Sequence, residues 1–468
     1  PAPAPVPVGP SGEAPGSDDS IVEALQDTRR TAQREFEARY PKQGVTRHFL
    51  ARVRVQPSVS APVAGYMRRG ARFRATERVP GVGCRHGWFE VPGAGFVCRG
   101  EAYAIGDEAP QYDGAPHPPA LEDPLPYHYA RVRQRDIGQF WRLPSLADEA
   151  RFADIVEALA PSRRRVEAEV DAPPAPGAEE VAEARAPRDS VALPDFVRQR
   201  MRPGFYVSLN GEESREDGRR FARTLRGGFL RADALEAPTP SSDHGVVLGG
   251  AFRLPVAFTR RDGTHRLRRR GTTRHFASAG TVDRHQPLAV ARMMDRSGQS
   301  YIVDSEGYTV RRSAVRIAAA VERPSRVREG SRWIHVSLAE QTLVAYEDDT
   351  PVYATLVSTG REGFETPAGL FRIQSKHVST TMDDLTDEDS AYQIEDVPWT
   401  MYFEGNYALH TAFWHRRFGT PRSHGCVNLA PADARWVFHW AGPELPASWH
   451  GVFADRHRAG SWVYITEE

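Results

Sequence analysis

The chain has 468 residues, 40% hydrophobic and 26% charged, and its 61 basic and 61 acidic side chains leave no formal net charge. A chain this long outgrows one hydrophobic core, so two to four domains are expected. No run of about 18 apolar residues occurs, which excludes a helical membrane span, and the zero net charge argues against a protein built mainly to hold nucleic acid.

Residues 1–46 read as a linker and a short helix. The opening Pro1-Ala2-Pro3-Ala4-Pro5 cannot pack a core and behaves as a semi-rigid tether. It fits an exported protein whose signal segment has been removed, with lipid or signal-derived anchoring upstream of residue 1; an arbitrary boundary is the alternative. Asp18-Asp19-Ser20 can cap a helix over 21–40, which Pro41 stops.

Over 47–108 the texture changes to short alternating strands punctuated by Gly and Pro, as in a small barrel of hairpins. Cys84 and Cys98 lie here, and the third cysteine, Cys426, is far away. A pair plus one leftover thiol fits an oxidising compartment with one disulfide and one reactive cysteine; two unpaired buried thiols are the alternative. Val53-Arg54-Val55-Gln56-Pro57-Ser58, Gly65-Tyr66-Met67-Arg68-Arg69-Gly70, Gly87-Trp88-Phe89 and Gly95-Phe96-Val97 together resemble the bacterial SH3 family. The resemblance implies a small β-barrel and suggests a cell-wall peptide as ligand, with Trp88 better read as a core aromatic.

Two echoes of the barrel's ending follow. Gly228-Phe229-Leu230-Arg231 and Gly307-Tyr308-Thr309-Val310 each open an alternating run, so a divergent SH3-like module is expected over 109–236 and a second divergent β module over 237–325. Within the first, 145–159 patterns as an amphipathic helix and 163–190 as an inserted flexible loop. The Arg266-Leu267-Arg268-Arg269-Arg270 run fits a solvated hairpin face better than a polyanion site.

Chemistry concentrates in 328–468. Residues 334–338, 342–346 and 352–357 alternate as a meander, which predicts an antiparallel sheet with one face buried. Further on stand His410-Thr411-Ala412 and Ser423-His424-Gly425-Cys426-Val427-Asn428. Read as extended, the second segment puts His424, Cys426 and Asn428 on one face, with His410 brought back by an antiparallel return. A neighbouring imidazole would hold the thiol as a thiolate ion pair, and Gly425 would leave room for a substrate and free its N–H as an oxyanion donor. Pro431 suits the start of a helix and Gly442 its stop. Three other readings are a structural cysteine, a zinc site of His410, His415, His424 and Cys426, and a Ser423-His424 hydrolase pair.

The whole segment resembles L,D-transpeptidases of the YkuD type. Gln341-Thr342-Leu343-Val344-Ala345-Tyr346, Val357-Ser358-Thr359-Gly360, Glu365-Thr366-Pro367-Ala368-Gly369, Val397-Pro398-Trp399 and Ser423–Asn428 occur in the family's order. The expected fold class is therefore mainly β and multidomain, a β-sandwich-like catalytic domain preceded by SH3-like small β-barrel modules. The resemblance implies Cys426 as nucleophile, His410 as its base and the Thr411 carbonyl as the group orienting that base. It implies His424 beside the thiolate, and Gly425 and Cys426 N–H groups as the oxyanion hole. Ser423, Asn428, Tyr392 and Tyr402 are candidate substrate contacts, and 375–395 sits where relatives carry a lid. The implied reaction is acyl transfer from a peptidoglycan stem peptide through a thioester, without metal or cofactor. The acceptor is a second stem, an anchored envelope protein or water, which would make the enzyme an L,D-carboxypeptidase; a silent wall-binding protein is the rival. The implied location is the periplasm or cell envelope.

Overall fold

The computed structural model describes residues 18–112, 116–170, 193–270, 275–384 and 392–468. The expected tether and residues 171–192 of the expected loop lie outside these. The first helix is Asp18–Arg39, and its described side chains are exposed. The second runs Leu146–Val170, past the expected end and into the stretch read as loop. The Arg-, Glu- and Ala-rich residues after Pro161 are good helix formers, and their propensity outweighed the single proline as a stop signal.

The protein is mainly β, in several sheets. In the first unit, strands Leu50–Arg54, Val63–Arg68, Arg72–Ala75, Trp88–Val91, Gly95–Cys98 and Tyr103–Gly106 enclose Val53, Met67, Val91 and Val97. A disulfide joins Cys84 to Cys98. Trp88 is buried and donates its ring N–H to the Val82 carbonyl at 3.1 Å. The second unit wraps His128–Val132, Val197–Met201, Tyr206–Glu216 and Arg219–Thr224 around Val132, Met201, Val207 and Leu230. The third buries Ala257, Ile302, Val310 and Ile317. The two sequence echoes take one shape: a strand, Phe229–Arg231 or Tyr308–Arg311, then a 3₁₀ turn, Ala232–Ala234 or Arg312–Ala314, then a second strand.

The C-terminal unit has two β-layers. One orders Thr350–Leu356, Thr342–Glu347, Arg332–Ser337, Trp462–Thr466 and Gly369–Arg372 side by side. The other contains Gly451–Phe453, Ser375–Asp384, Tyr392–Glu404, Tyr407–Thr411 and Val427–Leu429. Ile334, Leu343 and Ile465 from the first meet Met401, Leu409 and Val427 from the second, and Val437 and Phe438 of the helix Pro431–Trp440 close the core. The meander is antiparallel as expected, but the layers are not purely so. Trp462–Thr466 runs parallel to Arg332–Ser337, and Val427–Leu429 runs parallel to Tyr407–Thr411. The second pair corrects the antiparallel return expected for His410. Alternation fixes which face a residue takes, never the direction of the strand beside it.

The upstream units are packed on this sandwich. Gly65 and Tyr66 pair with Val452 and Gly451, and Trp449 enters the first unit's core. A Cβ on Gly65 would lie 2.2 Å from the Gly451 carbonyl oxygen, so only glycine allows this approach. Tyr206 of the second unit pairs with Ile394. From the third, Arg316 Nε donates to the Gly419 carbonyl at 3.0 Å, and His285 Nε2 lies 3.2 Å from the Phe418 carbonyl.

Candidate active site

The site begins at a short parallel ladder pairing Leu409 with Val427 and His410 with Asn428. Leu409 and Val427 are fully buried in the core, so by alternation His410 and Asn428 face the opposite side. Cys426 lies one step before Val427, at the end of the turn that leads into this ladder. Its thiol meets the backbone of the His410 segment at Asn406 and Ala408.

His410 is buried, and its Nδ1 lies 2.9 Å from the Thr411 carbonyl oxygen. A carbonyl only accepts, so Nδ1 carries the proton and Nε2 is left as a base. Burial pushes the His410 pKa down to about 4, against a smaller opposite effect of that hydrogen bond. Cys426 is a free, half-buried thiol whose Sγ lies 3.6 Å from the Asn406 carbonyl. Burial pushes its pKa up to about 11, with a backbone hydrogen bond from Ala408 acting the other way. The resting pair is therefore a neutral thiol and a neutral imidazole. Desolvation of each charge thus works against the expected thiolate ion pair.

Segment 423–426 is a turn, not the extended strand expected, and the strand starts only at Val427. Gly425 has φ of +110°, and a Cβ there would lie 2.4 Å from the Tyr407 ring. Its N–H, expected to be free, donates to Ser423 Oγ at 3.1 Å. Ser423 Oγ–H in turn donates to the Cys426 carbonyl at 2.5 Å, and Thr366 Oγ1 donates to the Gly425 carbonyl at 2.7 Å. Ser423 is thus buried structure that holds the turn shut, not a group pointing at a ligand. Among the described residues no acceptor is paired with the Cys426 N–H. The turn also leans on Val357–Gly360: Ser423 N–H donates to the Thr359 carbonyl at 3.0 Å, and Ser358 and Asn428 exchange two backbone bonds of 2.9 Å.

His424 does not share the face of Cys426. It sits exposed on the rim, its Nε2 2.9 Å from Arg361 Nη2, stacked on Tyr392 and edge-on to Phe364. Tyr392 and Tyr402 belong to one strand, Tyr392–Glu404, which pairs antiparallel with Ser375–Asp384 in the stretch read as a lid; residues 385–391 lie outside the described residues. Burial raises the Tyr402 pKa against a hydrogen bond with Thr380, and Tyr402 pairs with Ala408 on the strand that carries His410.

Asn428 is buried, with Nδ2 3.1 Å from His415 Nε2 and Oδ1 unpaired. The Arg417 N–H donates to His415 Nδ1, so the neutral ring holds its proton on Nε2. Turning the carboxamide over gives that proton its acceptor and satisfies Oδ1. Asn428 is therefore committed to His415. Burial, then the charges of Arg422, His410 and Arg417, push the His415 pKa down to about 4. Sequence reasoning missed Thr366, Tyr407 and Trp414, whose ring stacks on His410 at 5.8 Å. The Thr366 and Tyr407 positions are readable only once Gly425 is known to adopt positive φ. Among the described residues no three His, Cys, Asp or Glu side chains converge as metal ligands.

Residues 331–465 match the family model described as the L,D-transpeptidase catalytic domain, YkuD. Over 119 residues the chain is 24% identical to YciB of Bacillus subtilis (strain 168), named as a candidate L,D-transpeptidase; the match covers 23% of this chain and 59% of that protein. Among solved structures, an L,D-transpeptidase (Yku) from Stackebrandtia nassauensis is 23% identical with a TM-score of 0.22, over 31% of this chain and 60% of that one. The catalytic domain of the E. faecium L,D-transpeptidase is 22% identical with a TM-score of 0.23, over 29% of this chain and 98% of that one. By the family model, residues 331–465 are a YkuD-type L,D-transpeptidase catalytic domain.

Proposed function

We propose that the protein is an exported peptidoglycan L,D-transpeptidase, with Cys426 as nucleophile and His410 as general base. The observation that supports this best is the Nδ1 bond from His410 to the Thr411 carbonyl, on the strand whose backbone the Cys426 thiol meets. It leaves Nε2 as the basic nitrogen. Because both groups rest neutral, proton transfer accompanies attack. Sγ bonds to the carbonyl carbon before the terminal D-alanine of a stem tetrapeptide as its proton passes to His410 Nε2. The Cys426 N–H receives the oxyanion. Collapse breaks the C–N bond, His410 returns the proton to the leaving amine, and a thioester remains. An acceptor amine then attacks and gives its proton to His410, which passes it to Sγ as the C–S bond breaks, restoring the neutral pair. The acceptor is the amine of a second stem, giving a 3→3 cross-link, or that of an envelope protein. The upstream units are SH3-like wall-facing modules on this reading.

Intact-mass analysis of the full chain with a carbapenem tests the first half: one acyl adduct that maps to Cys426 is expected. A chain that stays unmodified while Cys426 reacts with iodoacetamide would sink the catalytic reading. Incubation with tetrapeptide muropeptides tests the second half, with D-alanine release and dimers as the expected products.

A further inference from the structure

The strand Tyr392–Glu404 touches the site at both ends. Tyr392 stacks on His424 with ring centroids 5.3 Å apart, and Tyr402 pairs with Ala408 on the strand that carries His410. Between them sits Asp396, with φ of +54°. A non-glycine residue holds the left-handed region only where its surroundings over-determine it. Those surroundings come mostly from elsewhere in the chain.

Arg68 of the first unit makes two bonds to the Asp396 carboxylate, 2.8 Å from Nη1 and 3.1 Å from Nη2. Ser208 of the second unit donates to Oδ2 at 2.5 Å, and Arg226 Nη2 stands 3.6 Å from Oδ1. Tyr129 of the second unit donates to the Asp396 backbone carbonyl at 2.7 Å. Only Ser379, bonded at 3.0 Å, belongs to the same hairpin. Arg68 and Asp396 are both buried. Next along the strand, buried Glu395 lies 3.4 Å from Arg198 of the second unit, and Arg226 also donates to Thr381 on the paired strand.

We infer that Asp396 is a positioning residue through which the two upstream units hold the substrate-facing hairpin in register over Cys426, so that they set substrate fit as well as serving as spacers. This rests on the proposed reaction only for what the hairpin contacts. The pinning itself is a property of the fold. Arg68, Ser208 and Tyr129 touch none of the reacting groups, so their effect on the site passes through the strand.

The test uses the full chain with Arg68→Met, Arg68→Lys and Ser208→Ala. Hydrogen exchange is read peptide by peptide, and steady-state kinetics on a tetrapeptide muropeptide run alongside. In Arg68→Met, exchange across 392–404 should quicken roughly tenfold while 427–440 keeps its protection. KM should rise roughly three- to tenfold with kcat within about twofold, and Arg68→Lys should recover part of both. Ser208→Ala, the milder change, should quicken hairpin exchange by roughly threefold if Arg68→Met does not fold. Unchanged hairpin exchange, or a rise spread evenly over the domain, overturns the inference. Wild-type chain that leaves the muropeptide intact overturns the proposed reaction instead, and the exchange arm still decides the pinning.

Discussion

Two polar constellations, Cys426 with His410 and Asp396 with Arg68, resolve burial in opposite ways. At Cys426 and His410, desolvation acts on groups with no counter-charge and drives both to neutrality, the thiol up to about 11 and the imidazole down to about 4. At Asp396, burial alone would raise the carboxyl, but Arg68 and then Arg226 outweigh it and hold it below the usual carboxylate range. Arg68 is kept charged by the same partner against its own burial. A reacting pair that must pass one proton back and forth profits from neutrality, whereas a pin profits from a fixed charge that nothing titrates near neutral pH.

The comparison breaks first at the thiol. Cys426→Ala should abolish the carbapenem adduct altogether, read by intact mass. His410→Gln should slow acylation by about 10²–10⁴-fold, the usual worth of a positioned base. The neutral pair also predicts the shape of the pH profile. Acylation should stay flat from about pH 5 to 9 and fall only as His410 takes a proton near its depressed value. A rise of tenfold per pH unit through neutrality would mean that free thiolate, not the pair, attacks.

At the pin the expected loss is structural. Arg68→Met strands a buried carboxylate, which costs about 3–5 kcal/mol by the general experience with half-removed buried pairs. The sign with pH follows from the lowered Asp396 pKa. Its contribution is fully present above the unfolded carboxyl value of about 3.9 and is lost as pH falls below that toward the folded one. Urea unfolding of wild type and Arg68→Met should therefore converge in strong acid and diverge above about pH 4.

How much of this was legible in sequence follows from range. His410 and the 423–428 segment stood out as candidates because the chemistry of Cys, His and Gly at close spacing is local, but the turn at 423–426 was read as an extended strand. The meander over 332–356 was readable for the same reason. The direction of the Val427–Leu429 strand was not, since three residues alternate alike in either sense. The engaged Gly425 N–H was also hidden, because Ser423 could face a ligand or its own loop and only the turn decides. Asp396 was invisible: its main partner stands 328 positions away, and nothing in the sequence around Arg68 marks it as one half of a pair.

The smallest effect offers the sharpest version of the contrast, since it converts one constellation into the other. His415 is now neutral against a neutral amide, Asn428, at 3.1 Å. Asn428→Asp keeps the shape and supplies the counter-charge that Asp396 supplies to Arg68. The His415 pKa should then climb from about 4 toward or past the ordinary histidine value of about 6.5, followed by NMR of its ring protons. Stability should move with it. A histidine depressed in the fold costs stability as pH falls from about 6.5 to its folded value, and raising the folded value removes that cost. The variant should thus lose less stability than wild type between pH 6.5 and 4, by about 1–2 kcal/mol. If His415 stays neutral beside the introduced carboxylate, desolvation outweighs a counter-ion at this depth, and the difference between the two constellations lies in the two arginines around Asp396.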